Sequence, residues 1–219
     1  MTIPSPFDII RTLVGRPDCL IFDVGANRGQ SAEIYRVLFE RCTIHAFEPH
    51  PAMFEALRQS LGGLDRVVLN HAALGDRVGS ALLHQTSHAE SASLLALNPE
   101  SWWGQALDIR PQGTTEVALD TIDHYCAERA ITTIDFLKLD VQGFEPECLR
   151  GAHRMLSERR IGVIQAELTY HRLYERATRF SDVEGLLEPY GYRLFTIFDV
   201  SVGDETGELL SLDVVLVPA

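Results

Sequence analysis

The sequence predicts an α/β fold: a mostly parallel sheet that is flanked by helices and closed by an antiparallel C-terminal hairpin. Short apolar runs of strand length alternate with amphipathic segments of helix length along most of the chain. A glycine turn at residues 25–29 joins the first of these strands to its helix. The last two strands, at 192–198 and 212–217, are joined by the turn-rich segment 199–207, which is short enough for a hairpin.

Composition and charge limit the class of protein and its partners. A chain of 219 residues with 46% hydrophobic residues fits a single domain, and we expect residues 1–219 to form one. The net charge of −12 disfavours a nucleic-acid partner, since phosphate contact needs a basic face. No apolar run reaches the length of a membrane span, and the four cysteines are scattered, which predicts a reduced, cytoplasmic protein. We therefore expect a small-molecule substrate.

The first strand, residues 19–24, is an apolar run that Asp23 interrupts just before the glycine turn. A short amphipathic helix at 7–13 precedes it, and a helix at 31–40 follows with Ile34, Tyr35 and Leu38 on its inner side. The order strand, glycine turn, helix is typical of a site for a nucleotide-type cofactor, because the helix N-terminus offers unpaired N–H groups.

The turn reads Asp-x-Gly-x-x-x-Gly and therefore lacks the glycine pattern of a dinucleotide fingerprint. A carboxylate at Asp23 suits a cofactor that carries an ammonium and a sulfonium group, as S-adenosylmethionine does. The alternative is a tight turn in which Asp23 caps the helix.

The second strand, 43–48, ends in Glu48, which lies 25 residues after Asp23. At the tip of this strand a carboxylate can accept both hydroxyls of a ribose, a device that NAD and S-adenosylmethionine enzymes share. The alternative is a solvated charge at a loop end. A helix at 51–61 follows, and then a third strand at 67–72, whose end we expect to lie against an adenine. The candidate residues for this contact are Asn70, His71 and Ala72.

Residues 76–118 form an insertion that is too long for an ordinary connection, so we expect a lid or a substrate-binding segment. Residues 75–79 are predicted to form a turn between two short strands, the second at 80–84, and another strand follows at 114–119. The adjacent tryptophans at 102–103 either stack on a substrate or cover the core.

Two later strands carry carboxylates near their ends. The fourth strand places Lys138 and Asp140 on the same side, because side chains alternate along a strand. Ligands of open α/β sheets bind at the carboxyl ends of strands, so we expect Asp140, Glu145 and Glu167 at the cleft. The alternative for Lys138 and Asp140 is a buried pair of purely structural use. The two predicted strands are 134–140 and 162–168.

Three helices accompany these strands in the prediction. The first, at 120–129, has Asp120 as its cap. The second begins at Pro146, since proline suits a first helical turn. The third begins at a capping box at 181–184. His171 follows the fifth strand directly and is a further candidate for the cleft.

Three stretches resemble the FkbM-type S-adenosylmethionine-dependent methyltransferases: residues 23–29, 47–51 and 135–145. The resemblance extends over roughly 19–217, and asparagine at position 27 fits this family. It implies a class I methyltransferase architecture, a Rossmann-like seven-stranded sheet. It also implies transfer of a methyl group, usually to a hydroxyl oxygen of a sugar, a macrolide or another natural product.

The resemblance also implies a cofactor site. By matching position, the residues that hold S-adenosylmethionine would be Asp23, Gly25, Asn27, Gly29 and Glu48. Neighbours at the same strand ends complete the predicted set: Ala26, Pro49, Asn70, Ala72 and Asp140.

The predicted reaction is an in-line displacement at the sulfonium methyl, in which the enzyme places the acceptor oxygen on the methyl–sulfur axis. An alcohol needs a base within hydrogen-bond reach. The candidates, in order, are Asp140, Glu145, Glu167 and His171. Lys138 would orient Asp140 or hold the substrate. A variant in which Asp140 and Glu167 bind one divalent cation is not expected, because two carboxylates make a thin ligand shell.

Two functions from other classes stay open. A nicotinamide-dependent oxidoreductase would need the glycine pattern that the turn lacks. A protein that binds the cofactor without catalysis would not need the carboxylates at the cleft. The acceptor, the choice between oxygen and nitrogen as the methylated atom, and the oligomeric state are not specified by the sequence.

Overall fold

Ten strands and eight α-helices occur in residues 5–203 and 207–219, the parts of the chain that this computed structural model describes. None of the helices in these ranges combines the length and the apolar character needed to cross a bilayer. The strands are β1 Leu20–Val24, β2 Thr43–Phe47, β3 Val67–Asn70, β4 Ala73–Leu74, β5 Gly79–Thr86, β6 Pro111–Asp120, β7 Ile134–Leu139, β8 Ile161–Thr169, β9 Tyr192–Val202 and β10 Leu209–Pro218. The helices are α1 Pro6–Val14, α2 Gln30–Leu38, α3 Pro51–Leu61, α4 Trp102–Ala106, α5 Ile122–Glu128, α6 Glu145–Arg150, α7 His153–Ser157 and α8 Phe180–Leu187.

Seven of the strands form a sheet of order β3-β2-β1-β7-β8-β10-β9. The pairs among β1, β2, β3, β7 and β8 are parallel, whereas β10 is antiparallel to both of its neighbours. The predicted mostly parallel, seven-stranded sheet with an antiparallel C-terminal hairpin is therefore confirmed. Strand order reverses between β1 and β7, and ligands of such sheets bind at the carboxyl ends of the strands beside this switch point.

Helices cover both faces of this sheet and bury an apolar cluster on each. On one face, Ile10 of α1, Tyr35 of α2 and Leu57 of α3 pack against the strands. On the other face, Tyr125 of α5 and Val183 of α8 do the same. Because both faces are covered, the central strands are apolar on both sides, as the continuous hydrophobic runs in the sequence predict.

The insertion builds a second, three-stranded sheet of order β4-β6-β5. β5 is antiparallel to β6, and β4 is parallel to β6. The turn predicted at 75–79 does join two short strands, β4 and β5, but these two strands do not pair with each other. The four side chains of a small cluster explain this order: Ala73, Leu83, Val117 and Leu119. β6 supplies two of the four and must lie between the other strands to bring them together.

The structure confirms two of the three residues predicted on the inner side of α2. The ring of Tyr35 is buried and packs edge-on against Phe136 of β7, with 5.2 Å between the ring centroids, and Leu38 packs against the same apolar cluster. Ile34, also predicted to face inward, is 37% exposed. The prediction for Ile34 is wrong because the larger aromatic side chain occupies the inner side of the helix.

The helix predicted to begin at Pro146 is divided into α6 and α7. At the break, Gly151 packs so closely on the backbone carbonyl of Gly75 that a Cβ would overlap it. The carboxylate of Asp123 in α5 accepts two N–H groups at the start of α7, at 2.6 and 3.0 Å. Two contacts from distant parts of the chain therefore end one helix and begin the next.

Two helix caps also differ from the prediction. The hydroxyl of Thr121 caps α5, whereas Asp120 is the last residue of β6. The carboxylate of Asp182 accepts the N–H of Arg179 at 2.9 Å and caps α8, so the capping box predicted at 181–184 is wrong.

The hairpin turn predicted at 199–207 includes residues 204–206, which lie outside the described residues. β9 extends to Val202, beyond its predicted end at 198.

The glycine turn after β1 brings three strand ends into contact. Gly25 has a φ of +82°, which favours glycine, and a Cβ there would overlap the carbonyl oxygen of Asp140, directly after β7. The N–H groups of Gly25 and Ala26 both lie 3.0 Å from the carbonyl oxygen of Phe47 in β2. A contact within the protein, in addition to any ligand, therefore requires glycine at this position.

We expect Gly25→Ala to lower the free energy of unfolding by at least about 3 kcal/mol, because the methyl group strains φ and displaces the loop after β7. Gly63→Ala is the matched control. Gly63 has the same φ of +82° but open space where a Cβ would stand, so the expected loss is about 1 kcal/mol. Urea unfolding followed by circular dichroism measures both values. Equal losses for the two variants would show that the contact with Asp140 has no energetic importance.

Candidate functional site

A cavity of about 310 Å³ opens where the carboxyl ends of β1, β2, β7 and β8 meet the insertion. It lies at the switch point of the sheet, where the fold predicts a ligand. Seven of the predicted site residues line it: Gly25, Asn27, Glu48, Pro49, Ala72, Asp140 and Glu167. The strand ends thus bring to one cavity residues that are far apart in the sequence.

Glu48 is 6% exposed and follows β2 directly. One carboxylate oxygen accepts the N–H of Asn27 and the other accepts that of His50, each at 2.8 Å. Burial raises the pKa of Glu48 to about 7, although these hydrogen bonds act in the opposite direction. Each oxygen has a further lone pair, so the group can also accept hydrogen bonds from hydroxyls in the cavity.

Asn27 presents an acceptor to the same cavity. Its φ is +50°, a conformation that asparagine tolerates better than most residues. Its Oδ1 atom is buried and has no hydrogen-bond partner among the described residues. Buried polar atoms are seldom left unpaired, so this oxygen is suited to a donor from a bound group.

Next to the cavity, the chain's only lysine, Lys138, lies between two carboxylates. Its Nζ is 3.0 Å from Asp140 Oδ2 and 3.6 Å from Asp23 Oδ1, and Asp23 is fully buried. Burial disfavours the charge on Lys138, but the two carboxylates outweigh burial and raise its pKa. Burial raises the pKa of Asp23, and Lys138 opposes this shift. The contact with Asp23 is an ion pair without a hydrogen bond, and both Asp23 oxygens lack a hydrogen-bond partner in the described chain.

The carboxamide of Gln142 connects two carboxyl groups of the cavity wall. Its Nε2 lies 3.2 Å from Asp140 Oδ1 and 3.2 Å from Glu167 Oε2. Burial favours the neutral form of Asp140, but the charge of Lys138 and the hydrogen bonds to Asp140 outweigh it and lower the pKa. Burial, followed by the charge of Asp140, raises the pKa of Glu167 to about 9. The two shifts have opposite directions, so the negative charge is favoured on Asp140 and the neutral form on Glu167.

Glu145, a predicted catalytic candidate, does not line the cavity. It is fully buried, and its Oε1 accepts the N–H groups of Val141 and Gly143 at 3.0 and 3.2 Å. The hydroxyl of Thr178 lies 3.0 Å from the other oxygen. Burial raises the pKa of Glu145 to about 7. Its carboxyl group holds the loop after β7 from inside the protein.

His171, another predicted catalytic candidate, also lies away from the cavity wall. Its ring stacks on Trp103 of α4, with 6.0 Å between centroids, and its Nδ1 lies 3.3 Å from the N–H of Leu173, which donates to it. Burial lowers the pKa of His171. The imidazole therefore connects the insertion to the segment after β8. Trp103 packs against His171 within the protein.

Besides the buried Asp23, three predicted cofactor residues lie behind the cavity wall. Gly29 has a φ of +98° at the start of α2, and a Cβ there would be 2.8 Å from Leu61 Cδ1 of α3. The Oδ1 of Asn70 accepts the hydroxyl of Tyr125 at 3.0 Å. Ala26 is 3% exposed and packs in the core. The structure does not bring these side chains to the cavity.

Sequence analysis missed the residues that connect the insertion to the cavity. The hydroxyl of Ser93 donates to the backbone carbonyl of Gln142 at 2.8 Å. The hydroxyl of Tyr174 lies 2.9 Å from both Gln142 Oε1 and the carbonyl oxygen of Ser91. Gln142 lies inside the stretch 135–145, but nothing in the sequence distinguishes this neutral amide from its neighbours. No spacing pattern marks the serines or Tyr174.

The chemistry of the cavity wall is that of an acceptor-rich site. The carboxyl groups of Glu48, Asp140 and Glu167 and the Oδ1 of Asn27 suit a bound group that has hydroxyl donors and a positive charge. Across residues 5–203 and 207–219, no group of three or more His, Cys, Asp and Glu side chains is arranged to hold a metal ion.

Comparison with known sequences finds relatives that are methyltransferases. The chain is 29% identical over 171 residues to the 2-O-methyltransferase NoeI of Sinorhizobium fredii, which covers 76% of this chain and 70% of that protein. It is also 29% identical over 157 residues to the 31-O-demethyl-FK506 methyltransferase FkbM of Streptomyces tacrolimicus, which covers 62% of this chain and 60% of that protein. The chain therefore spans about two thirds of the length of these two relatives.

Comparison with solved structures shows the same fold. The methyltransferase FkbM of Methylobacillus flagellatus matches with a TM-score of 0.53 and 15% identity, over 91% of this chain and 44% of that one. An rRNA methylase of Streptococcus thermophilus matches with a TM-score of 0.50 and 11% identity, over 100% of this chain and 99% of that one. At these identities the likeness concerns the fold alone.

A family profile covers the cavity and most of the sheet. The profile described as "Methyltransferase FkbM domain" matches residues 23–194, which include the glycine turn, Glu48 and the stretch around Asp140. The protein therefore belongs to the FkbM methyltransferase family.

Proposed function

We propose that this protein transfers the methyl group of S-adenosylmethionine to a hydroxyl oxygen of a small molecule such as a sugar, a macrolide or another natural product. The observation that carries the proposal is the acceptor-rich cavity at the switch point, with Glu48 at the end of β2 and the unpaired oxygen of Asn27 beside it. The names of the two relatives support oxygen as the methylated atom. One is a 2-O-methyltransferase, and the other is a methyltransferase of a 31-O-demethyl compound.

In this proposal Glu48 accepts hydrogen bonds from the ribose hydroxyls of the cofactor. Its two oxygens are fixed by the N–H groups of Asn27 and His50, so the carboxyl group is oriented before a ligand binds. Pro49 and Ala72 supply apolar wall next to it, on the side that suits an adenine. Asn70 is not assigned to the adenine, because Tyr125 already uses its side-chain oxygen.

The positive end of the cofactor belongs on the β1 and β7 side of the cavity in this proposal. Gly25 and Asn27 line that side, and the buried charges of Asp23, Lys138 and Asp140 lie next to it. These three side chains carry one negative charge in excess when both carboxylates are ionised, which favours a bound cation. The cofactor supplies an activated methyl group on a sulfonium centre.

Asp140 is the base of the proposed reaction, and Lys138 positions it. Burial and the charge of Asp140 raise the pKa of Glu167 and favour its neutral form, whereas Lys138 lowers the pKa of Asp140, which lines the cavity and is the better proton acceptor of the two. The acceptor hydroxyl gives its proton to Asp140 as its oxygen attacks the methyl group in line with the departing sulfur. Glu145 and His171, which lie away from the cavity, have no assigned role in this step.

Calorimetric titration tests the cofactor class. We expect saturable binding of S-adenosylhomocysteine and no binding of NAD, because the glycine turn lacks the dinucleotide pattern. Glu48→Gln should weaken the binding of S-adenosylhomocysteine at least about tenfold, through loss of a charged acceptor for the ribose. Glu55→Gln, at an exposed position of α3, is the matched control and should bind like the unchanged protein. Binding of NAD alone would contradict the proposal.

A radiolabelled methyl-transfer assay with a panel of sugars and macrolides tests the base. For any acceptor that the protein methylates, Asp140→Asn should reduce kcat by about 10²–10⁴-fold, the usual contribution of a general base. Its affinity for S-adenosylhomocysteine should stay within about threefold of the original. Asp108→Asn, at an exposed position of the insertion, should change neither value. Full turnover by Asp140→Asn would show that another group accepts the proton.

The protonation of Glu167 can be tested through stability. The pKa of this group is higher in the folded state, about 9, than its ordinary value of 4.5. Its contribution is fully present below pH 4.5 and is lost as the pH rises through 9. Glutamine keeps the neutral shape and does not titrate, so the Tm of Glu167→Gln should rise relative to that of the original protein between pH 5 and pH 9, by roughly 10 °C for a shift of this size.

The control for this measurement is Glu184→Gln on the exposed side of α8, for which the difference in Tm should not vary with pH. A difference for Glu167→Gln that is also independent of pH would show that Glu167 titrates like an ordinary carboxyl group.

A further inference from the structure

A second cavity, of about 710 Å³, lies on the other side of the loop after β7. It runs between the segment 172–179, α6 and the first turns of α8, and four arginines line it: Arg150, Arg172, Arg176 and Arg179. We call it the arginine groove. Four of the 19 lysines and arginines of a chain with a net charge of −12 meet here, so the groove differs in charge from the protein as a whole.

Two of the four guanidinium groups share one carboxylate. Arg176 and Arg150 lie 2.6 and 2.9 Å from the same Oε1 atom of Glu147. The side chain of Glu147 is 10% exposed, while those of Arg150 and Arg176 are each 48% exposed. Glu147 therefore fixes the two arginines from below and leaves their outer N–H groups open to the groove.

The other two arginines, Arg172 and Arg179, have no carboxylate within ion-pair distance in the described chain. Both residues are exposed. The groove also holds the carboxyl groups of Glu175 and Asp182, which accept the backbone N–H groups of Ala96 and Arg179. Counted by formal charge, the four arginines and the three carboxylates of Glu147, Glu175 and Asp182 leave one positive charge in excess, and the N–H donors of the arginines outnumber these acceptors.

The arginine groove and the cavity of the candidate site have opposite character. Gly143 lines the groove, whereas Val141 and Gln142 of the same loop line the cavity. The cavity presents carboxyl groups and the groove presents guanidinium groups, so an anion is repelled by the first and attracted by the second. The groove contains none of the residues assigned to methyl transfer.

We propose that the arginine groove binds the diphosphate group of a ligand. Guanidinium groups bind phosphate oxygens in a bidentate manner, and four of them suit a group with several negative charges better than a single carboxylate. The groove is larger than one phosphate requires. The same chemistry is offered by inorganic pyrophosphate and by a nucleoside diphosphate.

Titration calorimetry with pyrophosphate and, separately, uridine diphosphate tests the proposal. We expect saturable binding that weakens as salt is added, and the double variant Arg172→Gln/Arg179→Gln should weaken it at least about tenfold. Arg36→Gln, an exposed arginine of α2 outside the groove, is the matched control and should bind like the original. The Tm of each variant and its affinity for S-adenosylhomocysteine show that the fold and the other cavity are intact.

The two ligands distinguish the source of the diphosphate. Uridine diphosphate that binds at least tenfold more tightly than pyrophosphate identifies a nucleotide, and equal affinities identify the free anion. The proposal is overturned if the unchanged protein binds neither ligand, if the double variant binds both as tightly, or if saturating S-adenosylhomocysteine displaces them. Failure of methyl transfer, in contrast, would leave these binding results unchanged.

Discussion

The ion cluster of Asp23, Lys138 and Asp140 is the interaction on which the candidate site depends. Parallel pairing of β1 with β7 places Asp23 directly opposite Lys138, so the sheet itself fixes the first contact. Buried charges are costly unless they are paired, and removing one member would leave the others without compensation. Lys138 also lowers the pKa of Asp140, and burial together with the charge of Asp140 raises the pKa of Glu167. One lysine therefore influences the protonation of both Asp140 and Glu167.

The loop after β7 connects the ion cluster to the neighbouring parts of the molecule. Its backbone packs on Gly25 from one side, and Glu145 holds it from within. Its Gln142 receives hydrogen bonds from Ser93 of the insertion and from Tyr174 of the segment after β8. The insertion is thus attached to the same loop that carries Asp140, and the position of one constrains the other. This loop also separates the acceptor-rich cavity from the arginine groove.

The sequence predicts the sheet and the carboxylates of the cavity because both follow from local rules. Apolar runs mark buried strands, and side chains at the ends of parallel strands gather at one edge, which places Glu48, Asp140 and Glu167 together. The features that the sequence does not predict depend on contacts between distant segments. The pairing of β4 and β5 with β6 and the use of the Asn70 side chain by Tyr125 leave no periodic signal. The inward turn of Glu145 likewise depends on Thr178.

The burial of Lys138 gives the protein an unusual chemical property. Because this is the only lysine of the chain, the folded surface offers no side-chain amine to acylating reagents or to a lysine-specific protease. The side chain of Lys138 is 9% exposed, so such reagents react with it mainly when the structure around it opens. Acylation would then remove the positive charge, leave Asp23 and Asp140 uncompensated, and prevent the strands from closing. The rate of this single covalent reaction therefore reports how often the centre of the sheet opens.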